Sequence, residues 1–278
     1  RGLALGRLEV EAINRLVPMA GGAALPEWRL NRLRLSTPEA QLDASGNWAA
    51  LGTPGRPRSA FGFTLDLRDS GALLTRLGLP QTLRGGKGQL TGQVNWLGSP
   101  LEPDPLTMSG DIQVRINAGQ FLKADPGIAK LLGVLSLQSL PRRLTLDFRD
   151  LFQQGFAFDA IDGDVKVTQG VAATRNLRMR GVQAIVLMEG QADLAKETQN
   201  LHVFVVPQIN AEAASLAYAA INPVIGIGTF IAQYLLRKQV ADASTQEFMV
   251  TGPWADPHVE KLERGPKPAE VTAPRKPS

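Results

Sequence analysis

Residues 110–117 read GDIQVRIN. Ile112, Val114 and Ile116 alternate with Asp111, Gln113, Arg115 and Asn117, the two-residue period of a strand with one apolar and one wetted face. This alternation decides the fold class, because it recurs along the chain. Residues 61–67 set Phe61, Phe63, Leu65 and Leu67 on one side. Residues 89–96 set Leu90, Gly92, Val94 and Trp96 against Gln89, Thr91, Gln93 and Asn95. Leu144, Leu146 and Phe148 repeat the pattern downstream. Strands with one dry face are those of antiparallel sheets.

A shorter signature lies inside these runs: glycine, any residue, then an apolar residue. It occurs as Gly46-Asn47-Trp48, Gly92-Gln93-Val94, Gly110-Asp111-Ile112, Gly163-Asp164-Val165, Gly190-Gln191-Ala192 and Gly252-Pro253-Trp254. The irregular spacing excludes a fixed-period solenoid. Glycine within a strand marks a bulge or a bend, and repeated bends in a long meander curl a sheet.

Helical segments are few. Asp69 caps a short helix running through Leu77, and Asp125-Pro126 opens a second over 125–139 with Ile128, Leu131, Leu132 and Leu135 at helical spacing. A third spans 211–240. Within it residues 213–236 are uncharged, long enough for a membrane span. Asn222-Pro223, Gly226, Gly228 and Gln233 interrupt that run, favouring helices that cap the sheet end or touch a membrane surface over a true span. Residues 263–278 are charged and proline-rich, a composition expected to be disordered. Ten or more strands with so few helices leave two solutions. Two sheets pack face to face, or one curled sheet keeps an apolar interior for a guest.

The 278 residues are 44% hydrophobic, as in a folded protein, and carry a net charge of +4. That mild excess suits a phospholipid headgroup as well as nucleic acid. Without cysteine there is no disulfide, thiolate metal site or thiol nucleophile. The chain opens at Arg1 with no Met or signal pattern and reads as a piece of a longer protein, any anchor lying outside it. His202 and His258 are the two histidines, and neither forms a Ser/His/Asp or metal-ligand spacing. Asp159, Asp162 and Asp164 fail the calcium-loop pattern, whose twelfth position is Gly170, and read as solvated strand and turn positions. RGGKGQ at 84–89 lacks phosphate-loop spacing and reads as a tight turn; GIGTF at 226–230 reads as a flexible point in a helix. Arg29, Arg32 and Arg34, like Arg175, Arg178 and Arg180, lack interleaved aromatic residues and read as wet strand faces. No cofactor or metal is expected.

One segment resembles a known family. Phe121-Leu122, Leu131-Leu132-Gly133, Leu135-Ser136-Leu137, Leu140-Pro141-Arg142-Arg143-Leu144 and Asp147-Phe148 resemble the C-terminal region of YhdP-type proteins of the AsmA-like group. The likeness continues through Gly155-Phe156, Phe158-Asp159, Gly163 and Gly170 to the ending TGPWADPHVEKL. It covers about 106–262, while 1–105 resemble the preceding β-repeats in style. The resemblance implies a TamB-related, bridge-like lipid transfer protein: inner-membrane-anchored, periplasmic, with a long β-sheet rolled into an apolar groove. It carries no catalytic motif.

The expectation is a mainly β chain: a long curled antiparallel sheet forming an apolar groove, with helices closing its C-terminal end. Residues 1–105 form a β-repeat groove segment, 106–262 the AsmA-like C-terminal region and 263–278 a tail. The function expected is non-enzymatic phospholipid transport between inner and outer membranes. Its partners are acyl chains, the two membrane surfaces and envelope proteins, with no nucleic acid. Ile112, Val114, Ile116, Leu144, Leu146, Phe148, Phe156 and Phe158 line the groove. Arg142, Arg143, Arg237 and Lys238 meet headgroups or a membrane, with a solvated hinge as the other reading of the Arg142-Arg143 pair. The alternative is a structural or interaction module with a closed sandwich core.

Overall fold

The computed structural model describes residues 6–18, 24–50, 56–122, 156–182, 184–207 and 246–262. Twelve strands form one antiparallel sheet in chain order: β1 Arg7–Pro18, β2 Ala24–Ser36, β3 Ala40–Ala49, β4 Arg58–Leu67, β5 Leu83–Leu97, β6 Ser109–Phe121, β7 Phe156–Thr168, β8 Val171–Gly181, β9 Ala184–Asp193, β10 Thr198–Pro207, β11 Gln246–Pro253 and β12 His258–Leu262. Each strand pairs only with its sequence neighbours, so the sheet is a meander that does not close into a barrel. The mainly β, antiparallel expectation is met, and the described strands make one continuous sheet. Among the described residues no helix is long and apolar enough to cross a membrane. The expected helices over 125–139 and 211–240, the strand at 144–148, the glycine pair near 226 and the tail at 263–278 lie outside the described residues.

The repeating glycines sit where neighbouring backbones crowd. A Cβ at Gly110 would stand 2.0 Å from the Gln93 carbonyl oxygen, and one at Gly92 2.3 Å from that of Asp111. At Gly46 and Gly190 the nearest carbonyl oxygens would be 2.1 and 2.2 Å away, whereas Gly252 faces no such obstruction. The motif therefore reflects close strand approach at those positions. Alanine at Gly110 is expected to cost about 1–3 kcal/mol in urea unfolding through overpacking. At Gly62 the nearest atom to an added Cβ is 4.0 Å away, so alanine there is expected to be close to neutral. Bulges shift the register between Glu11 and Ala12 in β1, and between Asp162 and Val165 in β7. Each adds local twist and bend.

The RGGKGQ stretch corrects the tight-turn expectation. It lies within β5, where Gly85 and Gly86 take positive φ of 65° and 87° while pairing with β6 continues to Leu83–Phe121. Turn and in-strand kink place the same demand on φ, so sequence does not separate them. The kink seats helix α1, Ser70–Arg76. Asp69 caps α1 by accepting from the Ala72 amide at 2.9 Å, as its sequence position predicts. The Ser70 hydroxyl donates to the Gly86 carbonyl at 2.9 Å, and a Cβ at Gly71 would stand 2.2 Å from the Leu83 carbonyl oxygen.

Arg76 ties α1 to the turn before β3 by pairing with Glu39 at 2.7 Å. The Arg76 guanidinium holds the Glu39 carboxyl well below its ordinary value, at about 2. A carboxyl depressed in the folded state stabilises fully above its unfolded value near 4.5, and that contribution fades as pH falls towards 2. Amide protection of α1, corrected for intrinsic exchange, is expected to drop between pH 6 and pH 3. Glu39→Gln is expected to remove that dependence.

Candidate functional site

Cross-strand partners in an antiparallel pair project to the same face, so between kinks and bulges the register assigns each side chain to a side. The positive φ at Gly85, Gly86 and Ala118 and the bulge after Phe158 turn Leu83, Phe156 and Phe158 back onto the apolar one. From β5 to β7, Leu90 stands opposite Val114 and Val114 opposite Gly163; Gly92 opposes Ile112 and Ile112 opposes Val165. Outwards to β1 the same face carries Leu65, Leu42, Leu35 and Leu8, each paired with the next. In the other direction it carries Met179, Val186, Val205 on β8–β10, and Val203 leads on to Phe248 of β11. One apolar face thus crosses the sheet from β1 to β11. At about 4.8 Å between strands it extends roughly 50 Å.

Coverage of that face is uneven. On β3–β6 the side chains of Leu42, Phe61, Phe63, Leu90, Ile112 and Val114 are half-buried. On β1, Leu8 and Leu16 are 59% and 69% exposed. At one end of β5–β11 the face closes into a cluster built from Leu83, Phe156, Phe158, Val186, Val203, Val205, Phe248 and Val250, with Leu74 of α1 packed against it. A contiguous apolar face of this width, exposed on β1 and half-buried on β3–β6, is the kind of surface that marks a binding site.

The opposite face is largely polar and internally paired. Arg34 bonds Asp43 at 2.7 Å, Gln89 bonds Asp66 at 2.7 Å and Arg178 bonds Asp162 at 2.6 Å. Glu27 is buried there and accepts from Arg15 and Asn47; the Arg15 bond leads in holding its pKa below the ordinary carboxylate value. Arg34 of the β2 stripe and Arg178 of the β8 stripe are therefore strand positions with acidic cross-strand partners, and such partly exposed pairs contribute about 0–1 kcal/mol each. An exception is the buried patch of Ile185, Leu187 and Phe204 on β9 and β10. A concavity of about 1210 Å³ on this side is lined by Thr91, Gln93, Asp111, Gln113, Asp164 and their neighbours. A twisted sheet is saddle-shaped, so each face is concave along one diagonal, and this polar hollow suits water.

Of the residues singled out by sequence, Ile112, Val114 and Ile116 lie half-buried and side by side on the apolar face. Phe156 and Phe158 lie on that face too, but buried in the closed cluster. Leu144, Leu146, Phe148, Arg142, Arg143, Arg237 and Lys238 lie outside the described residues. Asp159, Asp162 and Asp164 are in β7, and the described residues hold no group of three or more His, Cys, Asp or Glu side chains arranged for a metal ion. His202 is on the polar face between Glu189 and Glu247. Leu42, Phe61, Phe63 and Leu90 were absent from the lining expected from sequence; the alternation of the last three was legible, but only the register joins them and Leu42 to Val114.

An apolar face continued from strand to strand can solvate hydrocarbon. The chain is 29% identical over 234 residues to the intermembrane phospholipid transporter YhdP of Escherichia coli (strain K12), an alignment covering 84% of this chain and 18% of that protein. This chain therefore spans less than a fifth of the relative's length. No solved structure matches it significantly. Since that family's model matches residues 2–259, nearly its full length, the chain belongs to the YhdP protein family.

Proposed function

We propose that this chain is one section of a non-enzymatic phospholipid conduit in the cell envelope, in which acyl chains move along the apolar face while headgroups stay wetted. The observation that carries the reading is the half-buried apolar face running from β1 to β11. Kinship with an intermembrane phospholipid transporter supports lipid as the guest and the two membranes as its source and destination.

The energetics suit movement rather than storage. Each methylene moved from water onto such a face gains about 0.8 kcal/mol. Sliding from one strand to the next exchanges like for like, Leu65 for Leu90 for Val114, so the gain is nearly constant along the path. A substrate bound everywhere about equally meets no deep trap.

The direct test is phospholipid content. The purified chain, freed of detergent and extracted for mass spectrometry, is expected to carry phospholipid in near-stoichiometric or greater amounts. Purification without phospholipid, and none acquired on incubation with phospholipid vesicles, would refute the proposal.

A further inference from the structure

The two ends of the strands are chemically unlike. All four tryptophans of the chain are at the same end: Trp28 near the start of β2, Trp48 and Trp96 next to last in β3 and β5, and Trp254 just after β11. In a meander, starts of even strands and finishes of odd strands share an end, so residues 226 positions apart in sequence lie on one rim. Trp28 and Trp48 are directly paired, and Ser59 joins Trp48 to Trp96 across β4. The other end holds Phe121, Phe156, Phe158 and Phe248, the closed hydrocarbon cluster.

Polarity follows the same axis over most of the sheet. Across β1–β10, the polar side chains that enter the apolar face, Asn14, Ser59, Thr174 and Gln199, all lie in the tryptophan half, whereas on β11 and β12 Gln246 and Lys261 enter it at the other end. A cavity of about 470 Å³ opens at this rim between β1 and β3, lined by Leu16, Pro26, Trp28, Trp48 and the Arg15–Glu27 pair. The Trp48 Nε1–H, buried beside it, has no acceptor among the described residues.

Indole pairs a large apolar body with one N–H donor, and so favours the level of a lipid layer where hydrocarbon meets ester and headgroup. Resting on the proposed lipid role, we infer that phospholipid lies along the strand direction with fixed polarity, glycerol esters and headgroup at the tryptophan rim and chain ends towards the phenylalanine cluster. The lengths agree. From Trp96 to Leu90 is six residues, about 20 Å of strand. One leaflet of hydrocarbon is about 15 Å deep. A lipid whose esters lie level with Trp96, whose own N–H is given to the Ser99 carbonyl at 2.8 Å, therefore ends its chains near Leu90 and Val114, short of the closed cluster.

Because every tryptophan is on this rim, tryptophan fluorescence, excited at the red edge where the two tyrosines do not absorb, reports on it alone. The full chain is loaded from phosphatidylcholine vesicles carrying a nitroxide on the headgroup, at acyl carbon 5 or at acyl carbon 16, and bound lipid is quantified by mass spectrometry in the same samples. At equal occupancy, quenching is expected to be at least twofold greater from the headgroup and carbon 5 than from carbon 16. Bound lipid with equal quenching at all three positions, or with carbon 16 strongest, overturns the fixed polarity and leaves the lipid role standing. No bound lipid overturns the lipid role itself, and the polarity with it.

Discussion

Val114→Asp is expected to strip the chain of lipid while leaving it folded. Val114 is half-buried between Leu90 and Gly163 at the middle of the apolar face, so aspartate there can be hydrated when the face is empty. An acyl chain over that position must either dehydrate the carboxylate, which costs several kcal/mol, or detour around it. Since 1.4 kcal/mol is a tenfold change in binding, bound phospholipid should fall at least tenfold by mass spectrometry. Thr91→Asp, next to Leu90 on the polar face and opposite the uncharged Thr64 and Gln113, is the matched control and should retain lipid. Circular dichroism of both variants should overlay that of the parent. Loss of lipid from both to the same degree would place the lipid elsewhere.

The second large effect is on stability. Phe248 is 1% exposed in the closed cluster, opposite Val203 and packed among the buried side chains of β9–β11. Phe248→Ala removes most of a phenyl ring and leaves a cavity, at an expected cost of about 3–5 kcal/mol. Leu16→Ala, at a position 69% exposed, should change stability by under about 0.5 kcal/mol. Because each strand pairs only with its neighbours, the loss should be local. Hydrogen exchange is expected to accelerate in β9–β12 before β3–β5, as in other quasi-one-dimensional folds. Uniform acceleration across the sheet would show instead that the sheet unfolds as one unit.

Alternation made the sheet legible: Ile112, Val114 and Ile116 announced both a strand and its dry side, and the family likeness of residues after Phe121 pointed to the YhdP family. The Asp69 cap was equally local and equally readable. What sequence could not supply was register. It left Phe61, Leu90 and Val114 as members of three separate strands, and only the pairing of β3 through β6 lays them, with Leu42, on one surface. The same gap hid the tryptophans, which look scattered until strand parity brings them to one rim. RGGKGQ failed for a different reason. Adjacent glycines satisfy a turn and an in-strand kink alike, and the docking of α1 over Gly86 decides between them.

The lipid-conduit reading makes one demand that no closed core would meet: contact with lipid must alternate residue by residue along a strand. A photoreactive phenylalanine analogue, placed singly at positions 111 to 116 of β6 and activated in the presence of phosphorus-labelled phospholipid, measures that contact directly. The expected result is label on the chain with the probe at 112, 114 or 116 and background with it at 111, 113 or 115. Equal labelling on both parities, or none at the even positions while lipid is bound, would contradict it.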